Sequence, residues 1–242
     1  MPEQTVRQQE GRNLTDLRNL QFQPGFNRYA EGSVLIKAGN THVLVTASVE
    51  ESVPGWLKGQ GQGWITAEYS MLPRATHTRT KRDREKISGR TQEIQRLIGR
   101  ALRAMVDLKA LGERSIMVDC DVLQADGGTR TASITGACVA VQIALKKLIS
   151  AEKIPASVLI DTVAAVSIGI QKSEIFVDLN YEEDSACDVD MNFVMTGRGQ
   201  LVEVQGTAER GTFTPDQLIA MMAAAGSACK KITQAQKATL EA

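Results

Sequence analysis

The chain has no Cys-x-x-Cys pair. Its four cysteines, Cys120, Cys138, Cys187 and Cys229, are widely spaced, and there are only two histidines, His42 and His77. That spacing excludes the common zinc sites and reads as four reduced thiols rather than a disulfide framework. Aromatic residues make up only 4% of the chain, so the core must be built from Val, Ile, Leu, Ala and Met. No apolar run approaches the roughly 20 residues that span a bilayer. The N-terminal stretch MPEQTVRQQEGRNL lacks the apolar segment of a signal peptide, so the expectation is a cytoplasmic protein with no membrane association. A G-x-x-x-x-G-K-[ST] phosphate loop is missing. Charge of one sign is missing too: 28 Lys and Arg balance 28 Asp and Glu, and the total alone points to no polyanionic partner.

What is present is a globular composition. Hydrophobic residues form 43% of 242 positions, enough for one large domain or two fused halves. Residues 1 to about 30 are polar, carry Arg7, Arg12 and Arg18, and read as an extended arm or irregular first strand. Ser33–Ala38 and Thr41–Val49 are β-branched runs about a two-residue Gly39-Asn40 turn, a strong hairpin signal. Residues 52–64, with four glycines and a proline, predict a loop, and Trp64 to Leu72 a strand. After a basic loop over 73–87, apolar residues at three- and four-residue steps predict a helix from Ser88 to about Leu111. A strand over Ser115–Leu123, a turn over Gln124–Arg130 and a second long helix to about Ile149 follow. That helix carries a small-residue face (Ala132, Gly136, Ala140, Ala144), which implies close packing against another element. Two further hairpins are expected, Val163–Ile170 with Glu174–Leu179 and Met191–Thr196 with Leu201–Gly206. A last helix starts at the capping box Thr214-Pro215-Asp216-Gln217. Hairpins followed by helices occur in each half, so the expected class is α+β with a weak internal duplication.

The balanced charge is segregated. From Arg74 to Arg103 ten basic residues face three acidic ones, whereas Asp178 to Asp190 holds six acidic residues and no Lys or Arg. The basic stretch is dominated by Arg, whose guanidinium grips phosphate with two parallel hydrogen bonds; it suits a nucleic acid, and equally a solvated helix face. Asp126-Gly-Gly-Thr-Arg130 lies between a predicted strand and a predicted helix. There free N–H groups, the helix dipole, the Thr129 hydroxyl and the Arg130 charge could hold an anion, or could simply start a helix. Gly89-Arg90 repeats the feature in the first turn of the other long helix. Asp184 and Asp190 stand six apart, an offset that puts both on one face of an extended segment; such a pair can bind Mg²⁺, supply a general acid, or belong to a solvated acidic loop.

Taken together the motifs resemble the ribonuclease PH family. The residues that carry the resemblance are Glu31-Gly-Ser-Val34, Gly63–Tyr69, Met71–His77, Gly89–Ile98, Asp119–Gly136 and Glu183-Asp184-Ser185 through Asp190-Met-Asn192. The resemblance covers the chain from about Gly11 to the C-terminal helix, and the stretch Asp119–Gly136 is its most specific part. It implies an α+β fold of duplicated hairpin-plus-helix units, with mixed sheets packed against long helices in a single domain over 1–242 and an arm of about 1–30. It implies phosphate-dependent 3′-to-5′ trimming of tRNA precursors and other RNA 3′ ends, with release of nucleoside diphosphates, a reverse nucleotidyltransferase reaction and a role in rRNA processing. By the same resemblance Arg90, Gly128, Thr129 and Arg130 would bind inorganic phosphate, the co-substrate. Asp184 and Asp190 would be the catalytic pair and the ligands of Mg²⁺, and Arg74, Arg79 and Arg82 would hold RNA. The assembly implied is a homohexamer, a trimer of dimers. One departure is mild: Asn19 follows Leu17-Arg18, where the family has Arg-Pro after its Leu.

Overall fold

The structure, a computed structural model, describes residues 6–82 and 87–242. Two sheets and three long helices between and beside them form the body. The first sheet joins β1 (Leu20–Pro24), β2 (Gly32–Ala38), β3 (Thr41–Glu50), β4 (Trp64–Met71) and β5 (Ser115–Gln124) in the order β1-β2-β3-β5-β4. Its pairings are antiparallel except β4 with β5, which is parallel, so this sheet is mixed. The second contains β6 (Val163–Gln171), β7 (Glu174–Val177), β8 (Val189–Thr196) and β9 (Leu201–Ala208), ordered β7-β6-β8-β9 and antiparallel throughout. The hairpins expected from the β-branched runs are present, β2–β3 about Gly39-Asn40, β6–β7 and β8–β9. The N-terminal residues contribute a short helix, α1 (Val6–Gln9), and then β1, the edge strand on β2.

Between the sheets runs the helix Thr129–Ser150, called α4 because α2 (Gly89–Arg103) and α3 (Leu108–Leu111) precede it. It is apolar and long enough to cross a membrane, and it is buried inside the protein because β2, β3 and β6 all pack on it. Its small-residue face is what lets the first sheet come close. A Cβ at Gly136 would stand 2.8 Å from the Ile36 side chain, and one at Gly32 would fall 1.9 Å from the Ala140 carbonyl oxygen. The remaining helices are α5 (Tyr181–Ala186) and α6 (Pro215–Glu241), and α6 covers the second sheet. Thr214 and Gln217 form the capping box expected of α6, each side chain accepting from the other's backbone N–H. All four cysteines are free and buried.

One helix departs from expectation. The segment Ser88 to Leu111 is not continuous: α2 stops at Arg103, and α3 is a separate turn. Non-helical bonds take over the intervening backbone. The Met105 carbonyl accepts from the Ile160 N–H at 3.0 Å, Val106 bridges Leu159, and the Asp107 carboxylate caps Lys109 and Ala110. An Asp side chain that caps a new turn outweighs continuation of the old one. Of the basic stretch, Arg84 and Lys86 lie outside the described residues.

Candidate active site

A cleft of about 620 Å³ opens where the start of α4 meets α5 and the adjoining ends of β8 and β9. Its walls include Arg90, Gly128, Thr129, Arg130, Asp184 and Asp190. The six residues singled out for phosphate and for catalysis, drawn from three distant parts of the chain, therefore face one space.

The glycine pair makes the first wall. Gly127 and Gly128 both take the left-handed conformation, φ +71° and +61°, and Gly128 is the N-cap of α4. A Cβ on Gly127 would lie 2.5 Å from the Asn180 carbonyl carbon and 2.6 Å from the Leu179 oxygen. The turn thus lies directly against the segment that leads into α5. Beneath it the buried Arg18 guanidinium donates to the carbonyls of Asp126 (2.6 Å) and Gly127 (3.4 Å) and to Asp178 Oδ1 (2.7 Å). Burial alone would raise the Asp178 carboxyl, but Arg18 more than offsets it and holds it below the usual range. Successive amides at a helix start, together with the dipole of this 22-residue helix, make an anion seat. Thr129 is not the cap but the first helical residue. Its Oγ1 accepts a hydrogen bond from the Tyr69 hydroxyl at 2.8 Å, and burial raises Tyr69 so that it stays a donor at neutral pH. With an acceptor lone pair so occupied, the Thr129 O–H is available to an anion in the cleft. Arg130 Nη1 donates to Gln205 Oε1 (3.1 Å) and Glu93 Oε1 (3.4 Å), which hold the guanidinium at the cleft wall.

The acidic wall is built differently from expectation. Asp184 does not lie in an extended segment with Asp190. It sits in α5, because Asn180 accepts from the Glu183 N–H and Glu183 reaches back to the Asn180 N–H, a full capping box. The two aspartates meet through the α5-to-β8 turn, not through an even strand offset. In β8, Asp190 and Asn192 alternate with the buried Val189 and Met191, so strand periodicity turns both toward the cleft. Other acidic residues of the stretch are structural. Glu183 receives two hydrogen bonds from the buried Arg7 (2.6 and 2.9 Å), and Asp188 accepts from the Lys172 N–H. Of the N-terminal arginines, Arg7 donates to the Glu183 carboxylate and to carbonyls, Arg12 to Glu10 and the Asp178 carbonyl, and Arg18 to the Asp178 carboxylate and to carbonyls.

Burial is the main reason that both Asp184 and Asp190 are raised above the ordinary carboxylate range. Arg90 and Arg130 oppose it at Asp184; at Asp190 the Asp184 and Glu209 charges add to it. Two desolvated, mutually repelling carboxylates form a hard oxygen donor set that suits Mg²⁺, an ion that keeps several waters and binds through one or two carboxylates plus phosphate oxygens. Among the described residues no group of three or more His, Cys, Asp or Glu could hold a metal ion.

Arg74 lines an adjoining cleft with His77, Tyr181 and Glu182. Arg79 and Arg82 are exposed and line neither cleft. Farther along α2, Arg100 pairs with Glu203, and Arg103 stacks 4.3 Å over Trp64 while donating to the Ile65 carbonyl. Sequence reasoning missed Glu209 and Arg210, which enter the main cleft just beyond β9, and also Tyr181 and Tyr69. Tyr69 lay within the Gly63–Tyr69 motif but was given no role, and no motif or periodicity marked the other three.

Two family models match most of the chain. The model of the 3′ exoribonuclease family, domain 1, matches residues 16–147, and that of the same family, domain 2, matches residues 161–228. Ribonuclease PH of Bdellovibrio bacteriovorus is 57% identical over 223 residues, 92% of each chain. Rice (Oryza sativa) Rrp46 superposes with a TM-score of 0.78 at 18% identity, covering 96% of this chain and 99% of the other. The Archaeoglobus fulgidus exosome with RNA bound to the active site gives 0.75 at 21% identity, covering 93% of this chain and 90% of the other. At those identities the likeness to the two structures concerns the fold.

Proposed function

The chain belongs to the ribonuclease PH family of 3′ exoribonucleases, and on that basis we propose how its cleft carries out the family's reaction. The protein is a phosphate-dependent 3′-to-5′ exoribonuclease and tRNA nucleotidyltransferase that trims tRNA precursor 3′ ends, with inorganic phosphate as co-substrate. The observation that carries the site assignment is the convergence of Arg90, Thr129 and Arg130 with Asp184 and Asp190 on one cleft.

Inorganic phosphate sits at the start of α4, against the Gly128 and Thr129 amides, the Thr129 hydroxyl and the Arg90 and Arg130 guanidinium groups. Attacking phosphate and scissile phosphodiester are both anions, so the main electrostatic obstacle is bringing them together. Fixed cations and backbone donors offset that repulsion and cost no reorganisation during the reaction. A phosphate oxygen attacks the terminal phosphorus and the P–O3′ bond breaks. A nucleoside diphosphate leaves, and the shortened RNA takes up a proton at its new 3′-hydroxyl. Asp184 and Asp190, raised by burial, can hold that proton or serve as metal ligands. Asp184 and Asp190 would hold Mg²⁺, which when bound would supply charge neutralisation for the reacting phosphates. Arg74, Arg79 and Arg82 hold the RNA strand through its backbone, so sequence tolerance follows.

The two halves work as a single domain, since α4 packs on strands of both sheets, and the described part of the N-terminal segment joins that body through α1 and the edge strand β1. The family membership supports assembly into a homohexamer, a trimer of dimers, and exposed Leu201 and Val204 on the edge strand β9 and Ile219 on α6 offer apolar surface for contacts between copies. A role in rRNA processing and a cytoplasmic location complete the reading. The test is a tRNA with a short 3′ extension, incubated with Mg²⁺, with and without phosphate. Phosphate-dependent release of nucleoside diphosphates is expected; release of monophosphates without phosphate would overturn it.

A further inference from the structure

Beside the main cleft lies a second of about 630 Å³, lined by Arg74, His77, Gln124, Asp126, Asn180 and Tyr181 among others. Thr76, Ala125 and Tyr181 line both, so the two spaces adjoin at these residues. Tyr181 is the unusual one. The residue is 59% exposed, and of the exposed large apolar residues among those described it alone lines either cleft. Its backbone is held: its N–H donates to Asp126 Oδ1 at 3.2 Å, and it opens α5 immediately after its N-cap, Asn180. Asp126 is itself fixed by Asn40 Nδ2 at 3.3 Å. An aromatic ring on a pinned backbone, left in the open where two polar clefts join, costs apolar exposure unless something flat covers it.

We propose that Tyr181 is the stacking platform for the nucleobase just upstream of the scissile bond. The proposal rests on the phosphorolytic reading of the main cleft. Tyr181 and Asp184 are three residues apart on α5, so they are same-face neighbours about 5–6 Å apart at Cβ. A phosphodiester at Asp184 therefore brings an adjoining base within reach of the ring. Which base follows from the surroundings. The Gly128–Arg130 side takes the attacking phosphate, and with it the departing nucleotide, while the Arg74 and His77 side offers the approach of the remaining strand. Tyr181 stands between them and holds the nucleotide that becomes the new 3′ end. Every base has a π-face, so this contact adds affinity without choosing a sequence.

Base–aromatic stacking of roughly 1–3 kcal/mol corresponds to about 5- to 150-fold in binding. Tyr181→Ala should raise the KM for RNA within that range and leave the KM for phosphate unchanged, and Tyr181→Phe should stay near wild type. A substrate with an abasic ribose immediately upstream of the scissile bond provides the decisive comparison. It should weaken the wild-type enzyme as much as Tyr181→Ala does on ordinary RNA, and should cost the Ala variant nothing more. Equal RNA KM for wild type and Tyr181→Ala, a matching rise in phosphate KM, or a full abasic penalty retained by the Ala variant would each overturn the assignment. Phosphate-dependent diphosphate release by the wild type is scored in the same assay, so failure of the underlying reading is seen separately.

Discussion

Gly127→Ala tests whether the close approach of the glycine turn to the acidic segment is what assembles the site. Two costs add at this position. An L-residue in the left-handed region costs roughly 1–2 kcal/mol. The new methyl would stand 2.5 Å from the Asn180 carbonyl carbon and 2.6 Å from the Leu179 oxygen, both backbone atoms that cannot rotate away. Overpacking of that kind adds roughly 1–3 kcal/mol. The sum, about 2–5 kcal/mol, lowers Tm by roughly 5–20 °C in a chain of this length. Two other glycines separate the terms. Gly59 has φ +80° with nothing within 4 Å of a Cβ, so Gly59→Ala carries only the conformational cost. Gly55 has neither positive φ nor neighbours, so Gly55→Ala should be neutral. Thermal unfolding of the three variants, with phosphate and RNA kinetics, gives the series. Gly127→Ala should be the least stable, and its kcat should fall at least tenfold, since relief of the clash moves the segment that carries Asp184. A Gly127→Ala protein as stable as Gly59→Ala, with normal turnover, would refute the argument that this contact positions the carboxylate.

Arg130→Ala should raise the phosphate KM by about 10- to 150-fold, the worth of a charge-assisted hydrogen bond, with a much smaller change for RNA; equal losses would remove Arg130 from the cradle. Asp190→Asn should abolish turnover while RNA still binds in a gel-shift assay. The same substitution should raise Tm at neutral pH, because it removes a buried carboxylate held above its ordinary range by burial and by Asp184. Tyr69→Phe should raise the phosphate KM several-fold, about the effect of one neutral hydrogen bond, and leave RNA affinity alone. For pH, Asp178 and Glu183 are held below their usual values against burial, Asp178 by Arg18 and Glu183 by Arg7 and the Asn180 N–H. Their contribution is present above the unfolded carboxylate range and is lost as pH falls through the depressed folded values. Tm measured from pH 7 downward should therefore drop steeply only below about pH 4, and Arg18→Met should already be unstable at pH 7 with Asp178 left buried and unpaired.

Much of the architecture was legible in the chain because its cues are local. Gly39-Asn40 between β-branched runs specifies a hairpin through turn geometry alone, and Thr214-Pro215-Asp216-Gln217 starts α6 with its own side chains. The small-residue face of α4 announced a close neighbour, and Asp126-Gly-Gly-Thr-Arg130 announced a helix start able to hold an anion. Other features were not legible because distant atoms decide them. Whether α2 continued past Arg103 depended on Ile160 and Leu159, some fifty residues on, which capture the backbone at Met105 and Val106. The route by which Asp184 meets Asp190 depended on Asn180 and Glu183 forming a helix cap stabilised by Arg7. Charge counts likewise could not tell which ions serve the site: Arg7, Arg18, Asp178 and Glu183 are committed to one another and to carbonyls, whereas Asp184 and Asp190 are left facing the cleft. Sequence alone thus determined the hairpins, most of the helices and the residue types that the chemistry needs. Only the tertiary structure decided which charges are neutralised inside the fold and which remain for a substrate, because pairing across more than a hundred residues is set by packing and not by spacing.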